Sequence, residues 1–244
     1  METPPVDEFA AVARSLSSAP DVDETLERIV QLAVRSLGCH YAGVSYVERR
    51  TKQVETGAAS HDVVRAGDQA QYEVGEGPCL QAMEDGTSYL VHDTVRDPRW
   101  PRWSARADEL GLRSVIGVRL FDEGSTMGAL NLYSGRAQSF TDDDVDVAQV
   151  YAAHASVALG SAREESHLRL AIDARHQVGL AQGILMERFE LDQQQAFAVL
   201  RRYSQQHNVK LRHVAEQLVV TRSLPAAQVV ASLDAGTEVL ENPA

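Results

Sequence analysis

The chain holds little that could staple, anchor or broadly charge it. Only two cysteines, Cys39 and Cys79, occur in 244 residues, too few for the disulfide framework of a small secreted scaffold. Neither belongs to a CxxC pair or sits in a histidine cluster, so they cannot build a zinc site by themselves, and no metal is expected. No uninterrupted apolar run of ~18 residues is present, so no spanning helix and no membrane partner is expected. The opening METPPVDEFA lacks a basic stretch followed by an apolar one, so no secretory leader is expected and the cytoplasm is the expected location. Positive charge is also scarce. A formal net charge of −12 argues against a protein that coats nucleic acid non-specifically.

What the chain does hold is enough core for one large domain or two smaller ones, with 44% hydrophobic residues. The first twenty residues carry Pro4, Pro5 and Pro20 and read as a flexible tail over 1–19, with one helical turn near Phe9 to Leu16. Helical spacing of Leu26, Ile29, Val30, Ala33 and Leu37 predicts a helix from about Asp21 to a stop at Gly38. A β-rich stretch follows. Strands are expected at Tyr41–Val47, 53–59, Ser88–His92, Val115–Leu120 and Met127–Tyr133, with a short helix at Cys79–Glu84 and another at Trp100–Leu110. Such a pattern implies an α+β domain, an antiparallel sheet with helices on a face.

The opening helix, the turn Gly75-Glu76-Gly77, the run Ser114-Val115-Ile116-Gly117-Val118, the phrase Met127-Gly128-Ala129-Leu130-Asn131-Leu132-Tyr133 and Phe140-Thr141 before acids together resemble a GAF domain over residues 20–160. That resemblance implies a sensor module that binds a small ligand or mediates dimerisation. The ligand stays unidentified and no cofactor is expected. The Asn-Lys-Phe-Asp-Glu set of cyclic-nucleotide GAF domains is missing, and no axial His or attachment Cys can be named for a haem or bilin.

Thr141 is a candidate N-cap, and Asp142, Asp143 and Asp144 complement the helix dipole in the first turn. No proline then appears up to Phe189, which predicts one long helix, or two with a break at Gly160-Ser161. Ala148, Ala152, Ala155, Leu159 and Ala162 recur at a spacing that suits a partner helix, hence a homodimer. The alternative is packing back on the protein's own sheet.

From His167 to Gln228 the balance changes. Eight cationic residues face five acidic ones, so this segment is +3 and the remainder −15. A locally basic module on an acidic chain suits a nucleic-acid contact surface, although solvated helices look similar. Asp192 with Gln195 predicts a capping box, Ala196, Val199, Leu200 and Tyr203 an apolar stripe, Asn208 a helix end, and Val214, Ala215, Leu218 and Val219 a last helix stopped by Pro225. Three helices sharing a small core follow over 161–228, with a tail at 229–244. Leu185, Phe197 and Leu200 read as core, and Met186 as a core filler.

The run Ala181-Gln182-Gly183-Ile184-Leu185-Met186-Glu187-Arg188, then Ala196-Phe197, Leu200-Arg201, Ser204, Asn208 and Lys210-Leu211 before Val214-Ala215-Glu216, closely resembles the ANTAR domain over 168–226. That family binds paired short stem-loops in nascent RNA and prevents transcription termination. The resemblance implies RNA as partner and Gln182, Gly183, Arg201, Ser204, Asn208, Lys210 and Arg212 as RNA-binding residues, with RNA polymerase a further candidate partner. Gln182 departs from the lysine common there, which removes one phosphate-contacting charge. Gly183 in mid-helix gives up ~1 kcal/mol against Ala, which suggests close approach of a neighbouring helix or an RNA backbone.

No catalytic residue is expected. Gly75-Glu76-Gly77-Pro78 lacks the Lys-Ser/Thr of a P-loop, and His92-Asp93 and Cys39-His40 lack a third partner. Trp100 and Trp103 could cover a ligand pocket or cap the core. The expectation is a non-enzymatic, sensor-gated RNA-binding antiterminator. The alternative is a ligand- or protein-responsive sensor whose helical tail dimerises or docks a protein. An RNA binder needs an exposed basic face there, whereas a docking tail exposes apolar residues.

Overall fold

Helix α1 (Val6–Ser17) forms where the sequence suggests a flexible tail, because Val12 and Leu16 find apolar partners and are 3% and 2% exposed. Helix α2 (Val22–Ser36) begins where Asp21 accepts the backbone N–H of Glu24 at 2.8 Å. These elements belong to a computed structural model that describes residues 6–48, 51, 53–122 and 124–224. Contacts divide the chain into two compact units that meet in sequence at Ser166/His167. The tail expected at 229–244 and the helix-stopping Pro225 lie outside the described residues.

In the first unit, β1 (Tyr41–Val47) and β2 (Val54–Ala59) form the expected antiparallel pair. Helix α3 (Asp62–Val74) follows, then α4 (Pro78–Asp85), β3 (Ser88–Val91), α5 (Pro101–Glu109), β4 (Ser114–Asp122) and β5 (Ser125–Ser134). All strand pairs are antiparallel, in the order β2-β1-β5-β4-β3. Period-two alternation divides the sheet between two helical layers. Ala42, Val44, Ile116, Val118, Leu130 and Leu132 share one core with α1, α2 and the start of α6 (Asp142–Phe189). On the opposite face Val115 and Tyr133 pack with Val64, Trp103 and Ala107 of α3 and α5, and Ala129 with Cys79 and Met83 of α4.

Helix α6 is continuous through Gly160, so the break expected there does not occur. Ala148, Ala152, Ala155 and Leu159 are all 0–1% exposed inside the first unit's own core. The seam expected to pair with a second chain is therefore already covered by α2 and the sheet.

The second unit packs three helical segments around Ala181, Leu185, Ala196, Leu200, Val209, Val214, Ala215 and Leu218. They are the end of α6, α7 (Gln193–His207) and α8 (Leu211–Thr221). The expected capping box is present, with the Asp192 carboxylate accepting the Gln195 N–H at 2.8 Å and the Gln195 side chain accepting the Asp192 N–H at 3.0 Å. Asn208 ends α7 in the left-handed conformation at φ 53°.

Candidate functional site

In the second unit a groove of about 800 Å³ opens between the end of α6, the outer flank of α7 and the start of α8. Its volume lies within the ~300–1,000 Å³ common for ligand sites. Each wall has a sequence reason. On α6, Arg175, Val178 and Gln182 recur three to four apart and share one flank. On α7, Gln193, Phe197 and Arg201 recur every four residues, about a quarter turn from the buried stripe of Ala196 and Leu200. Leu211 and Arg212 close the far end from the first turn of α8.

Three guanidiniums, those of Arg175, Arg201 and Arg212, surround this mostly apolar floor, and no acidic residue lines it. Among the described residues none of the three forms a salt bridge with a carboxylate. Phe197, expected in the core, is instead 38% exposed on that floor. Its neighbour Ala196 faces the core, and one helical step of 100° carries Phe197 out to the edge.

The seven residues expected to contact RNA fall into two groups. Gln182, Arg201 and Arg212 line the groove together, and Gln182 donates from Nε2 to the Gln193 carbonyl at 3.0 Å. Gly183, Ser204, Asn208 and Lys210 do not line it. The Ser204 hydroxyl donates to the Val209 carbonyl at 2.6 Å, so that with Asn208 it closes the end of α7. Lys210 is exposed immediately before α8. A Cβ on Gly183 would meet no atom within 4 Å beyond its own turn of α6, so no neighbouring helix of its own unit explains that glycine. Sequence reasoning missed Arg175, Gln193, Gln194 and Phe197 as groove residues. For Gln193 and Phe197 the available signal is their four-residue spacing from Arg201, which places all three on one flank of α7 once the helical phase is known.

The first unit carries a different arrangement, a polar cluster between the sheet and α3 whose centre is buried and whose Thr56 and Tyr72 are half-buried. Asp68 on α3 is 0% exposed. Its carboxyl accepts from the Tyr133 hydroxyl, from Asn131 Nδ2 at 3.0 Å and from Thr56 Oγ1 at 3.1 Å. Asn131 Nδ2 also donates to Ser45 Oγ at 3.0 Å, the Tyr72 hydroxyl donates to the same oxygen at 2.6 Å, and Asn131 Oδ1 has no partner. Burial pushes the Asp68 carboxyl up to about 6, against the opposing pull of those hydrogen bonds and of Arg65. Burial and the nearby Asp68 push the Cys79 thiol up to about 12, so it remains a thiol and a poor nucleophile. Gly77 holds this cluster's edge at φ +147°, where an added Cβ would lie 2.2 Å from Gln71 Oε1, the acceptor of the Cys79 N–H. Trp100 and Trp103 are 3% and 0% exposed and belong to the core.

The model of the GAF domain matches residues 19–160, more than half of the chain and the whole sheet with its helical layers. The chain belongs to the GAF domain family. A second model, the ANTAR domain, matches residues 166–219, the segment that carries the groove. Nothing among curated proteins matches this chain. Among solved structures, the free methionine-R-sulfoxide reductase of Neisseria meningitidis, solved with its substrate, is 19% identical with a TM-score of 0.53, over 64% of this chain and 89% of that one. The GAF domain of an Acinetobacter phosphoenolpyruvate-protein phosphotransferase is 12% identical with a TM-score of 0.52, over 66% and 96%. The GAF domain of a cyanobacteriochrome is 18% identical with a TM-score of 0.51, over 61% and 94%. At these identities the likeness concerns the fold of the GAF domain. Among the described residues no helix is long and apolar enough to cross a membrane.

Proposed function

We propose that this chain is a non-enzymatic transcription antitermination regulator, in which the ANTAR-like unit binds tandem RNA stem-loops under control of the GAF domain. The observation that carries the reading is the set of three arginines, without carboxylate partners, around an exposed aromatic in the segment matched by the ANTAR model. Cationic side chains of this kind position a phosphate backbone, while flat and polar groups between them read loop bases. A regulatory rather than catalytic role agrees with the state of the most nucleophilic side chain in the buried cluster, a thiol held protonated.

A second copy of the chain fits this reading, since two stem-loops on one RNA raise the effective concentration for two linked binding units. Val150 and Val157 of α6 are 46% and 72% exposed and lie seven residues apart, a spacing that suits a partner helix. The competing reading, a tail that docks a protein, draws on Leu168 and Ile172, which are 57% and 66% exposed one turn apart.

A salt titration of the full chain on a tandem-hairpin RNA separates the two. Neutralising three phosphates gives a slope of log K against log salt of roughly −2 to −3. Binding of any duplex as tightly as of tandem hairpins, or no binding of hairpins, rejects the RNA reading.

A further inference from the structure

We propose that the groove on the ANTAR-like unit receives one unstacked base of an RNA loop, laid against Phe197, with Arg175, Arg201 and Arg212 holding the flanking phosphates. This rests on the RNA-binding reading above and names what that surface reads. A large apolar side chain at 38% exposure, in a concavity open to solvent, loses contact with water only when a ligand covers it. The ligand must tolerate three positive charges at the rim and offer none of its own, because no carboxylate lines the walls. It must also offer a flat apolar face to the ring. A nucleotide has both, an anionic backbone and a base with a π-face, and base–aromatic stacking is sequence-tolerant because every base has one.

Discrimination among bases falls to the amides. Gln182 donates to the Gln193 carbonyl at 3.0 Å, which holds its side chain across the α6–α7 end of the groove. Its amide oxygen and the amide of Gln194 supply an acceptor and a donor pair for a base edge. A base still stacked in a duplex presents its edge and not its face, so the groove favours a loop nucleotide over a stem.

The test uses the full chain and tandem hairpins that it selects from a pool with randomised loops. Each loop nucleotide is then replaced in turn by an abasic one. One position per hairpin is expected to weaken binding about 10–100-fold on losing its base. Phe197→Ala and Phe197→Leu should weaken binding by a similar factor on intact RNA and add nothing on that abasic RNA, while Phe197→Tyr restores affinity. The salt slope should be unchanged in Phe197→Ala and smaller by about 1 in Arg201→Ala. Unchanged affinity in Phe197→Ala and Phe197→Leu overturns the proposal, as does a loss that adds fully to the loss at every abasic position. Displacement of the hairpin by a free mononucleotide or an acidic peptide at equal concentration also overturns it, by showing another ligand. If the wild-type chain selects no hairpin, the RNA reading itself fails first, before any variant is compared.

Discussion

The GAF domain and the ANTAR-like unit handle polar groups in opposite ways. In the GAF domain a carboxyl, an amide and several hydroxyls lie between a sheet and α3 and hydrogen-bond one another, all but the Asn131 Oδ1 atom. In the ANTAR-like unit Arg175 and Arg201 are exposed and Arg212 is half-buried, its Nε donating to His213 Nε2 at 3.2 Å, around an exposed ring. A three-layer domain has enough apolar surface to sequester a polar network, and the low dielectric there strengthens each hydrogen bond and shifts each pKa. A three-helix unit with eight buried apolar residues has no second layer, so most of its polar chemistry faces outward, and His213 is its one buried polar side chain among the described residues. The first arrangement ties its chemistry to pH through Asp68, and the second leaves cationic groups accessible to solvent.

The comparison breaks most visibly at α6. Ala155 is 0% exposed, so Ala155→Glu buries a charge without a partner and should unfold the GAF domain, at a cost of several kcal/mol. Val157→Glu, two residues on at a 72% exposed site, should leave the domain folded and shift only self-association. Thermal melts with sedimentation on both variants decide this. A folded Ala155→Glu protein that merely fails to dimerise would return that seam to an intermolecular role.

In the ANTAR-like unit the adjacent pair Leu200 and Arg201 separates stability from binding. Leu200 is 0% exposed, and Leu200→Ala should destabilise by ~2–5 kcal/mol. Arg201→Ala should leave the melt within about 0.5 kcal/mol of wild type and weaken RNA binding. Denaturant titration of each variant beside an RNA titration checks it, and a strongly destabilised Arg201→Ala contradicts the exposed placement of that residue.

The buried cluster makes the GAF domain's stability depend on pH with a definite sign. The Asp68 carboxyl titrates at about 6 when folded, above its ordinary 3.8, so the folded state holds the proton more tightly. Its contribution is fully present below about pH 4 and is lost as pH rises through 6, by roughly 3 kcal/mol at most at 1.36 kcal/mol per unit. Asp68→Asn should therefore flatten the pH profile and narrow the difference between melting temperatures at pH 5 and pH 7.5. An unchanged difference would remove Asp68 as its source.

Much of this was legible in the sequence. Strands β1, β4 and β5 are short, mostly buried runs rich in apolar and β-branched residues, and the capping box at Asp192 and Gln195 marks the start of α7. Helix α3 was not legible, because its buried positions include Gly67, Asp68 and Gln71, which carry no apolar period until the sheet supplies their partners. Helix α1 was legible only as one turn near Phe9 to Leu16, as nothing local shows that Val12 and Leu16 will find a core. In the groove, Arg201, Arg212 and Gln182 could be nominated by residue type. Phe197 could not, since an aromatic beside an apolar stripe reads as core until the helical phase places it at the rim.

Gly183 gives the finest test of the contrast. It sits inside α6, exposed, with no atom beyond its own turn of helix within 4 Å of where a Cβ would stand. Glycine there gives up ~1 kcal/mol of helix stability relative to alanine. The folded chain alone gains nothing from it, so Gly183→Ala should stabilise the ANTAR-like unit by about that amount. If an RNA backbone comes close at this turn of α6, the same methyl group obstructs it, and hairpin affinity should fall by a small factor although the protein is more stable. Opposite signs in the melt and in the RNA titration identify Gly183 as a contact point. Higher stability with unchanged affinity restricts the RNA surface to the groove and the arginines around it.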